Sequence, residues 1–261
     1  MVTPKQNCPV ILALSAHDPS GAAGIQADIE TINQHNCRCV SVITALTTQN
    51  TGTFKSILPQ NPVIFRSQAE LLLSDIKIDA CKIGLIGSEL LVYEIADILN
   101  ELNTLPIVVD PVLHSGSGTN LSSEDLISIL MDKLIPRTTV LTPNVKEAIA
   151  LSGKADPADA ASFFIEKGCK SVLVTGADQS TDKVVNVLYL QNHEPVKFSW
   201  ERLDGIYHGS GCTLAAAIST ELAMGNDIVA AIKNAQKYTI ETLKQAEKLG
   251  ASQLHPRRHL K

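Results

Sequence analysis

Six short, nearly unbroken apolar runs, alternating with segments of helical period, most constrain what this chain can fold into. The runs fall at residues 9–15, 39–46, 80–86, 106–112, 139–141 and 171–175. Strands buried on both faces read as continuous β-branched stretches rather than as alternating ones, and PIVVDPV and KSVLVTG have that character. Between the runs, residues 24–34, 62–74, 89–103, 122–134, 144–151 and 157–168 supply the helical crossovers that parallel pairing requires. The pattern predicts an α/β fold, a central and mostly parallel sheet flanked by helices on both faces. Residues 183–190 and 195–200, separated by a polar stretch, predict a hairpin, and residues 210–224 and 227–249 predict two closing helices.

Composition narrows the class. Of the 261 residues, 44% are hydrophobic and 19% charged, which excludes a disordered tail protein, a collagen-like repeat and a coiled coil. The 22 basic and 27 acidic residues leave a net charge of −5, which speaks against broad binding to nucleic acid. No apolar run approaches the ~18 residues of a membrane span. The first 18 residues carry one Lys before a short apolar stretch and then Asp-Pro, unlike a secretory leader, so the expected location is cytoplasmic. No Pro/Ser-rich linker or internal repeat divides residues 1–261, which predicts one domain. The closing HPRRHLK reads as a frayed basic tail. The six cysteines are scattered, and the close pair Cys37 and Cys39 lacks zinc-knuckle spacing.

In such folds, ligands bind beyond the carboxyl ends of the strands. The most informative loop there is Tyr207-His208-Gly209-Ser210-Gly211-Cys212-Thr213, leading directly into the Ala-rich segment that begins at Leu214. Two glycines permit a tight turn with convergent N–H groups, and a helix start adds unpaired amides and partial positive charge, so an anion site is one reading. An ordinary capped Gly-rich turn is the other. The stretch is neither a Walker A loop nor a dinucleotide fingerprint. At a helix start, the Cys212 thiol is expected to be more acidic than the usual value of about 8.5.

Four further stretches fall at strand ends. Asp18-Pro19-Ser20-Gly21-Ala22-Ala23-Gly24 and the following Asp28 offer a close backbone approach and two acceptors. Asn144 and Glu147 lie one turn apart; they fit either a capping box or a carboxylate holding hydrated Mg²⁺ near phosphates. Asp110 ends a buried strand, a second acidic contributor near a metal, and residues 114–118 form a polar loop on a nucleotide side. Gln49 closes another strand with one donor and one acceptor suited to a heterocycle edge.

In order along the chain, DPSGAAGIQAD, SVITALTTQNT, KIGLIGS, VVDPVL, LTPNVKEA, VLVTGAD and HGSGCTLAAAI resemble the hydroxymethylpyrimidine/phosphomethylpyrimidine kinases of thiamine biosynthesis, members of the ribokinase-like superfamily. The resemblance covers nearly the whole chain. It implies a ribokinase-like sheet, usually in a homodimer, and ATP-dependent phosphorylation of 4-amino-5-hydroxymethyl-2-methylpyrimidine, then of its monophosphate. By the same resemblance Asp28 and Gln49 are pyrimidine contacts, and Ala16, Ala23, Leu85 and Val112 are neighbouring pocket wall. Asn144, Glu147 and Thr175 fall on the nucleotide side, with Glu147 and Asp110 toward Mg²⁺ through water. Gly209, Ser210, Gly211 and Cys212 match the anion hole and catalytic position.

Two departures from the pattern bear on substrate. Cys212 stands where related sugar kinases place Asp, which favours the pyrimidine over ribose-like sugars. No lysine occupies residues 114–118 or 175–177, where many relatives carry one. A pyridoxal kinase and a non-catalytic pyrimidine-binding regulatory domain are the competing readings.

Overall fold

The computed structural model describes residues 8–102, 104–116 and 118–260. Its centre is strand β1 (Val10–His17), followed by α1 (Gly24–Gln34), β2 (Arg38–Gln49) and β3 (Phe54–Pro59). The chain continues through α2 (Pro62–Asp75), β4 (Ala80–Ile83), α3 (Glu89–Glu101), β5 (Ile107–Val109), α4 (Glu124–Lys133) and β6 (Val140–Leu141). It ends with α5 (Val145–Ser152), α6 (Pro157–Glu166), β7 (Ser171–Val174), β8 (Lys183–Leu190), β9 (Val196–Glu201), α7 (Ser210–Ala223) and α8 (Ile228–Lys244). Among the described residues, nine strands form one sheet in the order β3-β2-β1-β4-β5-β6-β7-β8-β9. Strands β2 to β7 pair in parallel through β1, while β3, β8 and β9 are antiparallel additions at the edges.

The alternation of side chains sorts the core. Leu12, Leu14, Ile83, Val109, Leu141 and Val174 point to one face, where they bury Leu91, Ile95 and Ile98 of α3. Val108, Val140 and Leu173 point to the other and meet Ala215, Ala217 and Ile218 of α7. Helix α7 is buried continuously from Thr213 to Leu222, and its run of alanines lets the axis lie close against the sheet. Its start is thereby fixed beside the carboxyl ends of the strands.

The predicted strands and helices are present, with three corrections. The edge strand β3 was not expected; it pairs with β2 from Ala45 to Gln49. The last helix ends at Lys244 rather than at residue 249. The closing segment is not frayed over residues 255–260: Arg258 is 2% exposed and His255 7%, while its last residue, Lys261, lies outside the described residues. The reading of residues 1–7, the end of the predicted 89–103 helix at Asn103, and Ser117 of the polar 114–118 loop lie outside the described residues. Among the described residues no helix is long and apolar enough to cross a membrane.

Candidate active site

Strand β1 leads through α1 to one side of the sheet, and its neighbour β4 leads through α3 to the other, so a crevice opens where the two connections diverge. The pocket at this point is lined by Ala16, Ala23, Gln49, Leu85, Val112 and Cys212, all anticipated from the sequence. A more open groove between β2 and α2 is lined by Ser41, Val42, Gln68, Leu71, Leu72, Ser74 and Asp75, none of them a site residue expected from the sequence.

Side chains cap the starts of α2, α3, α4, α5, α6 and α8. Among the described residues, α1 and α7 alone start without a side-chain cap. Both starts face this pocket, through Ala23 and Gly24 for α1 and Cys212 for α7. Uncapped first-turn amides are the donors that an anion can take up. Gly209 makes the turn into α7 possible. Its φ of +81° is left-handed, and a Cβ there would overlap the Ala22 carbonyl oxygen. Gly211 is under no such constraint: a Cβ would meet only Asp110, at 3.8 Å.

The Cys212 thiol donates to Asp110 Oδ2 across 3.4 Å. The expectation of an acidic thiol is overturned. Burial pushes the thiol up to about 12, and the nearby Asp110 and Asp28 charges add to this, outweighing Lys82. Burial also raises the Asp110 carboxyl, against the pull of Lys82.

Glu147 is 7% exposed. Its Oε2 accepts from the Asn144 amide at 2.9 Å, Asn144 Oδ1 accepts from the Glu147 amide at 2.9 Å, and Glu147 Oε1 accepts from the Leu113 amide at 3.4 Å. The capping-box reading is therefore realised, but it leaves the carboxylate without a cation: burial, then repulsion from Asp110, push it up to about 8. Two buried, mutually repelling carboxylates at the strand ends fit a hydrated Mg²⁺. Among the described residues no cluster of three or more His, Cys, Asp or Glu side chains offers a closed metal site. Thr175 lies alongside, bridged to Asn144 and donating to the Pro143 carbonyl at 3.5 Å.

Asp28 is placed elsewhere than expected. It is fully buried beneath the pocket, and Lys82 Nζ lies 2.8 Å from Oδ1 and donates to Oδ2 at 2.9 Å. The Lys82 ammonium is held well above its usual range; burial opposes this, and Asp28, Cys212 and Asp110 outweigh it. Gln49 keeps its place in the pocket, with Nε2 donating to Thr47 Oγ1 at 2.9 Å.

Three groups escaped sequence reasoning. One is Lys82, although a lysine inside a wholly apolar run signals a buried partner. The second is the pairing of Asp18 with His208, whose Nε2 lies 3.0 Å from Asp18 Oδ2. Burial raises the Asp18 carboxyl, but His208 and the Ser20 amide and hydroxyl together bring it below its usual value. The third is Arg258, which carries no local sequence signal.

A mostly parallel sheet with its pocket at the switch point, and uncapped helix starts beside a half-buried Cys212 and a buried Asp110, is the architecture of a ribokinase-like small-molecule kinase. A family model for phosphomethylpyrimidine kinase matches residues 18–257, and the chain belongs to that family. The hydroxymethylpyrimidine/phosphomethylpyrimidine kinase of Bacillus subtilis is 30% identical over 246 residues, which cover 92% of this chain and 91% of that protein. A chloroplastic thiamine biosynthetic bifunctional enzyme of Arabidopsis thaliana is 35% identical over 244 residues. Those residues are 90% of this chain but 46% of that protein, so the chain spans about half the length of such bifunctional relatives. Among solved structures, the pyridoxal kinase from Staphylococcus aureus in complex with AMP-PCP and pyridoxal is similar at a TM-score of 0.87 and 26% identity, covering 97% of this chain and 94% of that one.

Proposed function

We propose that residues 1–261 act as one kinase domain that transfers the γ-phosphoryl group of ATP to the hydroxymethyl oxygen of 4-amino-5-hydroxymethyl-2-methylpyrimidine, and then phosphorylates the monophosphate. The observation that carries this reading is the pair of uncapped helix starts, α1 and α7, facing one pocket that also holds Cys212 and Gln49.

The substrate hydroxyl attacks phosphorus in line. Phosphoryl transfer passes through a loose transition state, so positioning and charge neutralisation dominate. The amides of Ser210, Gly211 and Cys212 receive the charge that develops on the migrating group. With the thiol protonated and bonded to Asp110, the hydroxyl proton passes to the Cys212 sulfur as the thiol proton moves to Asp110. Gln49 meets the pyrimidine edge with its carbonyl oxygen and its second N–H. Asp28 then acts from below, through Lys82, rather than by touching the ring. Glu147 and Asp110 would hold a hydrated Mg²⁺, with Asn144 and Thr175 flanking the nucleotide; when bound, the ion neutralises phosphate charge.

The pairing unit is a homodimer. Leu46 and Leu58, cross-strand partners at the sheet edge, are 41% and 63% exposed, and Val63 and Ile64 in the next helix are similarly open. Light scattering tests this. A coupled ATP assay, with the pyrimidine alcohol, its monophosphate and pyridoxal in separate arms, tests the function. Turnover of pyridoxal in preference to the pyrimidine would move the assignment to the pyridoxal kinase reading, and no ATP consumption in any arm would end the kinase reading.

A further inference from the structure

The basic segment at the chain's end is built into the site. Gln253 Nε2 donates to the Gly116 carbonyl at 2.9 Å, and the Leu254 carbonyl accepts from the His208 amide at 2.9 Å. Beyond them Arg258 enters the core, 2% exposed. A guanidinium so deeply buried has to spend its donors on specific partners. Nε donates to Thr213 Oγ1 at 2.9 Å, and Nη2 donates to the Ala22 carbonyl. Nη1 donates to the Gly21 carbonyl at 3.4 Å and to Glu30 Oε2 at 3.1 Å, which supplies the compensating charge. Thr213 passes the constraint on, because its hydroxyl donates to the Gly209 carbonyl at 2.8 Å.

We infer that Arg258 is a positioning residue for phosphoryl transfer: its guanidinium clamps the 21–22 loop to the 209–213 turn, and so fixes the direction of the amides that face the migrating group. The connection is a continuous chain of donors, Arg258 to Thr213 to Gly209. On the other side, the Ala22 carbonyl sits where a Gly209 Cβ would be, so the two loops touch and share one clamp. Arg258 donates to Gly21, Ala22, Glu30 and Thr213, none of them among the residues that line the pocket. It acts through Gly209 and Ala22, and displacement of a reacting geometry by about 1 Å is enough to cost on the order of 10²-fold in rate.

This inference rests on the 209–212 turn being the phosphoryl-facing one, so its test has a readout independent of turnover. Thr213→Val is near-isosteric and removes the middle link of the chain; Arg258→Lys keeps the charge but loses the fork; Arg257→Ala, half-exposed and paired with Glu247 at 3.5 Å, is the control. Exchange of the Thr213 amide, which donates to the Gly209 carbonyl at 2.9 Å, is expected in the ligand-free chain to be at least ~10-fold faster in Thr213→Val and Arg258→Lys, and unchanged in Arg257→Ala. In the ATP assay, kcat should fall by ~10- to 100-fold with both KM values within about threefold of the parent. Parental exchange in Thr213→Val overturns the clamp, whether or not Arg258→Lys folds. Lost thermal stability with unchanged kcat per folded molecule also overturns it. A parent chain inactive on every substrate would instead sink the kinase reading, and the exchange result would still judge the clamp.

Discussion

The Cys212 thiol donates to Asp110 Oδ2 across 3.4 Å, so in the resting protein the sulfur carries its proton. Burial, with Asp110 close by, holds the thiol up to about 12. Iodoacetamide at pH 7.5 should therefore label Cys212 at least ~10-fold more slowly than a free thiol with a pKa near 8.5. Asp110→Asn removes a neighbouring negative charge and should speed labelling. Labelling of the parent at the free-thiol rate would mean that the helix start controls the thiol after all. Cys212→Ala should lower kcat by ~10²–10⁴-fold, the range of a well-placed proton acceptor, with the pyrimidine KM nearly unchanged.

Gly209 and Gly211 separate folding from catalysis. A side chain at Gly209 meets both a left-handed φ of +81° and the Ala22 carbonyl. Gly209→Ala should cost at least about 1–3 kcal/mol in urea unfolding. Gly211→Ala should leave the unfolding midpoint within about 0.5 kcal/mol, because only Asp110 approaches, at 3.8 Å. Its kcat should nonetheless drop, since the added methyl sits between the amide turn and Asp110. Equal stability losses in the two variants would contradict the assigned backbone geometry.

The buried Lys82–Asp28 pair predicts a coupled stability loss. Removing one partner leaves an uncompensated charge in the core, a change that costs about 3–5 kcal/mol. Lys82→Met and Asp28→Asn should each show that loss, and the double variant should lose clearly less than the sum. Additive losses in a double-mutant cycle would show that the two side chains do not interact.

Gln49 is the specificity probe. Its Nε2 is tied to Thr47, whose hydroxyl in turn donates to the His17 carbonyl at 2.9 Å, so the amide is presented in one orientation. Gln49→Leu should raise the pyrimidine KM by ~10²-fold or more while leaving the ATP KM within a few-fold, because polar groups of the ring lose their partner. Equal changes in both constants would remove Gln49 from the pyrimidine edge.

The parallel core was readable because strands buried on both faces cannot hide: Ile107, Val108 and Val109 have no polar face to show. Strand β3 was not readable, because FKSILP is an edge strand with half its side chains in water and a local pattern close to that of a loop. Of the site, the pocket wall was expected from the family resemblance alone, whereas the 209–212 turn was legible from its glycines ahead of a helix start. Charge pairing was not. Asp28 was read as a pyrimidine contact because its partner, 54 positions later, leaves no local signal, and Arg258 looked like tail because its acceptors lie at residues 21, 22, 30 and 213. The same distance in sequence defeated the Cys212 expectation. A helix start is visible locally, whereas burial and a carboxylate 102 residues away are not.

Glu147 makes stability pH-dependent in a direction opposite to that of most carboxylates. Its folded value, pushed up to about 8 by burial and then by Asp110, lies above the ordinary 4.5 of the unfolded chain. Between those values the native state holds a proton that the unfolded state has released, so stability falls as pH rises. The contribution is fully present below pH 4.5 and lost as pH passes through about 8. With metal chelated, the parent should lose stability relative to Glu147→Gln across this window, with a slope of up to about 1.4 kcal/mol per pH unit. Urea unfolding at half-unit pH steps reads the difference directly. Two parallel curves would show that Glu147 is ionised throughout, and with that the case for a proton-bearing carboxylate in the first turn of α5 would fall.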